Sequence, residues 1–147
     1  MSLKWVAGFS LAIFLLVLPS TPTVTKATTK TVGGSQGWRF GFNYTDWALK
    51  NCPFYINDTL IFRYDPPSNT TVPHNVYLLT RAQFKNCSFV GAKLVGSEDQ
   101  GGGSGFKFIL RKRKKPYYFA CGVHEGSHCS AGLMKFSVLP FAHPSMD

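Results

Sequence analysis

The sequence predicts an all-β fold, an antiparallel sandwich or barrel of short strands, and three observations carry that prediction. Several segments alternate apolar with polar residues, the period of a strand with one buried face. Others are short runs of β-branched and aromatic residues, as in strands buried on both faces. Stretches rich in Gly, Pro, Asn, Asp and Ser separate them at short intervals.

The elements follow in order. "DTLIFRY" (Asp58 to Tyr64) places Leu60, Phe62 and Tyr64 on one face. "NVYLLT" and "PYYFAC" are the buried runs, "GFKFIL" alternates through Phe106, Phe108 and Leu110, and "LMKFSV" through Met134, Phe136 and Val138. "DPPSNTTVP", "SEDQGGGSG" and "VHEGSHCSAG" read as turns. Only "YTDWALKN" and "TRAQFKNC" (Thr80 to Cys87) suggest a helical turn. Short strands at this spacing argue an antiparallel sandwich or barrel, with no internal repeat.

The start of the chain sets the compartment. Lys4 precedes the apolar run "WVAGFSLAIFLLVLP", and small polar residues follow it. A run this short is a poor membrane span, so residues 1–27 are expected to be a cleaved secretory signal peptide. Residues 28–147 then form one domain, with the formal charge lowered from +9 to +7 by the loss of Lys4 and Lys26. "VLPFAHPSMD" carries no hydrophobic tail, so neither a lipid anchor nor a transmembrane tail is expected. A secreted, extracellular route gives meaning to four sequons, at Asn43, Asn57, Asn69 and Asn86.

The basic run "RKRKK" (Arg111, Lys112, Arg113, Lys114, Lys115) lies between two predicted strands. It reads as the solvated tip of a hairpin. A sharper reading makes it a dock for an anionic wall polysaccharide or a membrane surface. Nucleic acid is not expected, because the chain is secreted and its other charges are scattered.

Cys52, Cys87, Cys121 and Cys129 allow three full pairings, or one disulfide and two thiols. "YYFACGVHEGSHCSAGLMKF" concentrates two of them with His124, His128 and Met134. Cys121 beside a histidine would make a nucleophile and base, yet no known nucleophile signature surrounds it, so an enzyme is not expected. Structural zinc would need a second close pair of ligands that the chain lacks. A blue-copper centre asks for one thiolate, two imidazoles and a weak thioether. Cys121, His128 and Met134 offer three of these in one loop, and His74 opens the strand "HNVYLL". His124 and His143 are read as non-ligands. Cys52 could pair with Cys121 in an oxidising compartment, but the preferred expectation is a buried thiol packed like a small hydrophobe.

The ordered motifs "TVGGSQGW", "NDTLIFRYDPP", "HNVYLL" with "FKNCSF", "YYFACG" and "HCSAGLMKF" resemble those of the plant phytocyanins. These are secreted cupredoxins related to plantacyanins, uclacyanins and early-nodulin-like proteins. The resemblance spans residues 30 to 140 and implies a cupredoxin-like Greek-key β-sandwich with a Cys87–Cys129 disulfide. It implies one type 1 copper on His74, Cys121, His128 and Met134. The leading expectation is a monomer that passes single electrons to a redox partner through a partly exposed edge of His128. The family also contains copper-free members. The corresponding alternative is an apoplastic interaction protein with a saccharide or protein in a pocket of Tyr117, Phe119 and loop 122–133. Two departures stand out. Six residues separate Cys121 from His128 where four are usual, and Leu133 takes the place usual for the axial ligand. Alternation along "GLMKFSV" then predicts that Leu133 faces the interior, with Met134 long-bonded to copper or out of reach.

Overall fold

The computed structural model describes residues 26–112 and 114–144. Most of the expected signal segment lies outside them, and so does Arg113. Two sheets face each other. One has the order β1-β3-β6, from Thr29–Thr31, Thr59–Phe62 and Phe106–Ile109. The other has the order β5-β4-β7-β8, from Lys93–Gly96, Val76–Leu79, Tyr117–Ala120 and Lys135–Val138. A short pair, β2 (Phe54–Tyr55) with β9 (Pro140–Phe141), closes one side. The sandwich is therefore present, but β1 with β3 and β2 with β9 run parallel, which strand patterning does not reveal.

Alternation delivers the core as expected. Leu60, Phe62 and Tyr64 are buried from one sheet, and Phe119, Phe136 and Val138 from the other. Phe62 meets Phe119 with ring centroids 5.4 Å apart, Phe119 meets Phe136 at 5.2 Å, and Trp38 closes the cluster edge-on to Phe62 at 5.3 Å. Each such pair adds about 0.5–1.5 kcal/mol beyond its buried area, so this ladder joins the sheets firmly.

Both helical expectations hold. α1 spans Tyr44–Asn51 and starts on Asn43, whose side chain accepts from the Asp46 N–H at 3.1 Å. α2 spans Arg81–Asn86, and Thr80 and Gln83 cap it reciprocally. Tyr44 is buried in the core, and its hydroxyl accepts from the Arg39 N–H and donates to the Gly37 carbonyl. This pins the segment that runs over the functional end of the sandwich.

Two local expectations fail. The basic run is not a hairpin tip: β6 pairs with β3 and β7 pairs with β4 and β8, so the run crosses between sheets. Cys52 is an exposed thiol, because it ends α1 at the surface and its thiol turns back to the Leu49 carbonyl. Among the described residues no helix is long and apolar enough to cross a membrane.

Candidate metal centre

β4 and β7 are antiparallel neighbours, with Tyr77 opposite Ala120. His74 lies just before β4 and Cys121 just after β7, so the pairing brings both to one end of the sheet. His128 reaches the same place on a short third helix, α3 (Ser127–Ser130). The six residues between Cys121 and His128 fold into tight turns that let it arrive. His124, Glu125 and Gly126 all take positive φ, and the Gly126 N–H returns to the Gly122 carbonyl at 3.2 Å. Gly126 has no alternative here, since a Cβ would stand 2.7 Å from the Cys87 carbonyl oxygen. The Cys87–Cys129 disulfide ties the end of α2 to the middle of α3, beside His128.

The donor atoms form a compact triangle. His74 Nδ1 lies 3.1 Å from His128 Nδ1, and Cys121 Sγ lies 3.5 Å from His128 Nδ1 and 3.9 Å from His74 Nδ1. The product of these sides over four times the enclosed area places one point about 2 Å from all three atoms. First-row metals bond imidazole nitrogen at roughly 2.0–2.1 Å and thiolate at roughly 2.3 Å, so an ion fits with only small adjustments. One soft thiolate with two imidazoles in a trigonal set is the donor chemistry of type 1 copper. All three residues are buried, and the electrostatics suit neutral imidazoles. Burial, then the neighbouring His128, pushes His74 down to about 4. Burial, then His124, also lowers His128. Burial pushes the Cys121 thiol up to about 11, so a metal must displace that proton to gain its thiolate.

Asn75, which sequence reading missed, locks the site. Its N–H points at Cys121 Sγ at 3.5 Å, its Oδ1 accepts from the Gly122 N–H at 2.8 Å, and its carbonyl accepts from the Trp38 indole at 2.9 Å. The only available signal was its place directly after His74.

The Leu133 expectation is overturned. Leu133 is 47% exposed, whereas Met134 is fully buried. Period-two alternation gives this result: Met134 shares the buried face of Phe136 and Val138, which leaves Leu133 on the outer face, and Leu133 takes φ +58° just before β8. Met134 is also bound to both neighbours in the site, its N–H to the His128 carbonyl and its carbonyl to the Cys121 N–H, each at 3.0 Å.

Nor is His128 an exposed edge. It is only 3% exposed, because the Phe40 ring stands edge-on to it at 5.3 Å. His74 instead lines an open polar cleft of about 620 Å³, together with Arg39, Arg63 and Asp65. The pocket suggested for a copper-free protein does not form, since Tyr117 and Phe119 are core residues. His124 is exposed, as expected, and His143 lies apart, stacked on Tyr55.

Two facing sheets with a thiolate and two imidazoles gathered at one end define a cupredoxin. The chain belongs to the plastocyanin-like domain family, in its phytocyanin branch, and residues 38–133 match that domain. It is 32% identical to blue copper protein 1a of Medicago truncatula, over 90% of this chain and 71% of that one. It is 32% identical to stellacyanin of Toxicodendron vernicifluum, over 71% of this chain and 90% of that one. Among solved structures it is similar to cucumber basic protein, a blue copper protein (TM-score 0.58, 31% identity, 77% of this chain and 99% of that one). It is also similar to cucumber stellacyanin (TM-score 0.61, 30% identity, 80% and 98%).

Proposed function

We propose that this protein is a secreted, monomeric electron carrier with no enzymatic turnover, holding one type 1 copper on His74, Cys121 and His128 with Met134 as the weak axial donor. The observation that carries this reading is the donor triangle, whose sides fit one ion at bonding distance. Bound copper supplies a one-electron couple. The chain's own residues do the rest. Cys121 contributes the soft sulfur that sets the potential. Asn75 and the Met134 backbone hold Cys121 and His128 in place, so the donors need to move little when charge changes. Phe40 keeps water from the His128 edge, and electrons pass to and from the redox partner along the His74 cleft. The four sequon asparagines are all exposed, which supports glycosylation during secretion.

Titration of the purified protein with copper(II) tests the centre. An intense visible thiolate charge-transfer band at one equivalent is the expected result, and Cys121→Ser should lose it because a hydroxyl cannot replace the sulfur. A colourless wild-type protein, or a coloured Cys121→Ser variant, overturns the reading.

A further inference from the structure

The sandwich is open along one side, between edge strands β5 and β6 of the two sheets. A groove of about 460 Å³ lies at this opening, lined from both β5 and β6. Its floor is apolar, from Leu78, Val95 and Phe108, and its rims carry Lys93 from β5 and Lys107, Arg111 and Lys112 from the other side. No carboxylate lines it among the described residues. Lys114 and Lys115 continue the charge outward, and both are exposed. The buried Tyr117 hydroxyl accepts from the N–H groups of Arg111 and Lys112, at 3.0 and 2.9 Å, which fixes the start of the run at the rim.

We propose that this groove binds a linear acidic polysaccharide of the polyuronate class. Lysines on edge strands also deter strand addition, which accounts for Lys93 and Lys107 alone. It does not account for the cations that the crossing connection places along the same opening. The charges form a track on both rims, which matches an anion with regularly repeated charges better than a single lipid headgroup. The apolar floor suits the C–H faces of sugar rings, with carboxylates reaching the rims. The groove lies at the Tyr117 end of β7 and the donor triangle at the Cys121 end, about 13 Å away along the strand. A tethered protein would thus leave its redox end free.

The test is binding of short oligogalacturonates, measured by calorimetry on both the copper-free and the copper-loaded protein. Saturable, salt-sensitive binding is expected in both forms, so a failure of the copper reading would leave this result intact. Lys93→Gln with Lys107→Gln, both outside the basic run, should weaken binding roughly three- to tenfold. Ile109→Ser, at an exposed residue that also lines the groove from β6, should weaken it as well. An unchanged affinity in the lysine double variant would overturn the groove. Equal binding of single-stranded DNA, or preferential retention on anionic phospholipid vesicles, would overturn the polysaccharide.

Discussion

Leu133 and Met134 are adjacent, yet one is 47% exposed and the other fully buried, and Leu133 takes the left-handed backbone conformation at φ +58°. Alternation along β8 puts Met134 on the buried face of Phe136 and Val138 and leaves Leu133 on the other. The arrangement places a thioether at the buried end of β8, next to the two donor-bearing segments to which its backbone is bonded. Met134→Gln should therefore lower the reduction potential, since a hard amide oxygen favours the cupric state. Met134→Leu should raise it, with the colour kept in both. Potentials unchanged in both variants would show that Met134 serves packing alone.

The same position offers a stability test. A non-glycine residue in the left-handed region costs about 1–2 kcal/mol, and the Leu133 side chain recovers little from burial. Leu133→Gly should raise the unfolding free energy by about 1 kcal/mol, read by urea denaturation. A loss of stability would mean that the exposed leucine makes contacts worth more than its backbone strain.

Asn75 links the His74 segment to the Cys121 loop through its N–H and its Oδ1, and to Trp38 through its carbonyl. Asn75→Ala removes the acceptor for the Gly122 N–H and leaves that donor without its partner. We expect a stability loss of about 1–3 kcal/mol together with weaker copper retention. Asn75→Asp keeps an acceptor at the same place and should recover most of the stability. Two variants of equal stability to the wild type would remove Asn75 from the scaffold.

Much of this was legible in the sequence, for identifiable reasons. Leu60, Phe62, Phe136 and Val138 sit where period-two alternation puts them, since burial on one face leaves a direct imprint on residue order. His74, Cys121 and His128 were legible as a donor set because few chemistries use one thiol and two imidazoles. Long-range relationships were not. Nothing local in "RKRKK" shows that β6 and β7 belong to different sheets, or that Lys93 lines the same groove as Arg111. The inward reading of Leu133 failed because it set the usual axial position above the alternation that joins Met134 to Phe136 and Val138. Phe40 was missed because its contact with His128 spans most of the chain.

The two thiols should react very differently. Cys52 is exposed, whereas Cys121 is buried and its thiol is pushed up to about 11. An aromatic disulfide reagent should titrate one thiol quickly in the folded copper-free protein and the second only on unfolding. Cys52→Ser should remove the fast phase and spare the copper colour. A fast phase that persists in Cys52→Ser would mean that Cys121 is accessible.

Acid should destabilise the copper-free protein through its buried histidines. His74 lies near 6.5 when unfolded and is held down to about 4 in the fold, chiefly by burial and then by His128. Burial lowers His128 in the same direction. As pH falls below about 6.5, the unfolded chain takes up protons that the folded chain refuses, so stability declines. Its contribution is fully present above about pH 6.5 and is lost by about pH 4. For His74 the shift corresponds to about 3 kcal/mol at most. Urea midpoints measured from pH 7.5 down to 4.5 should fall more steeply for the wild type than for His74→Ala, which has no imidazole to protonate. Copper, which requires the unprotonated imidazole, should move the decline to lower pH. Parallel profiles for wild type and His74→Ala would show that His74 is protonated in the fold as readily as in the unfolded chain.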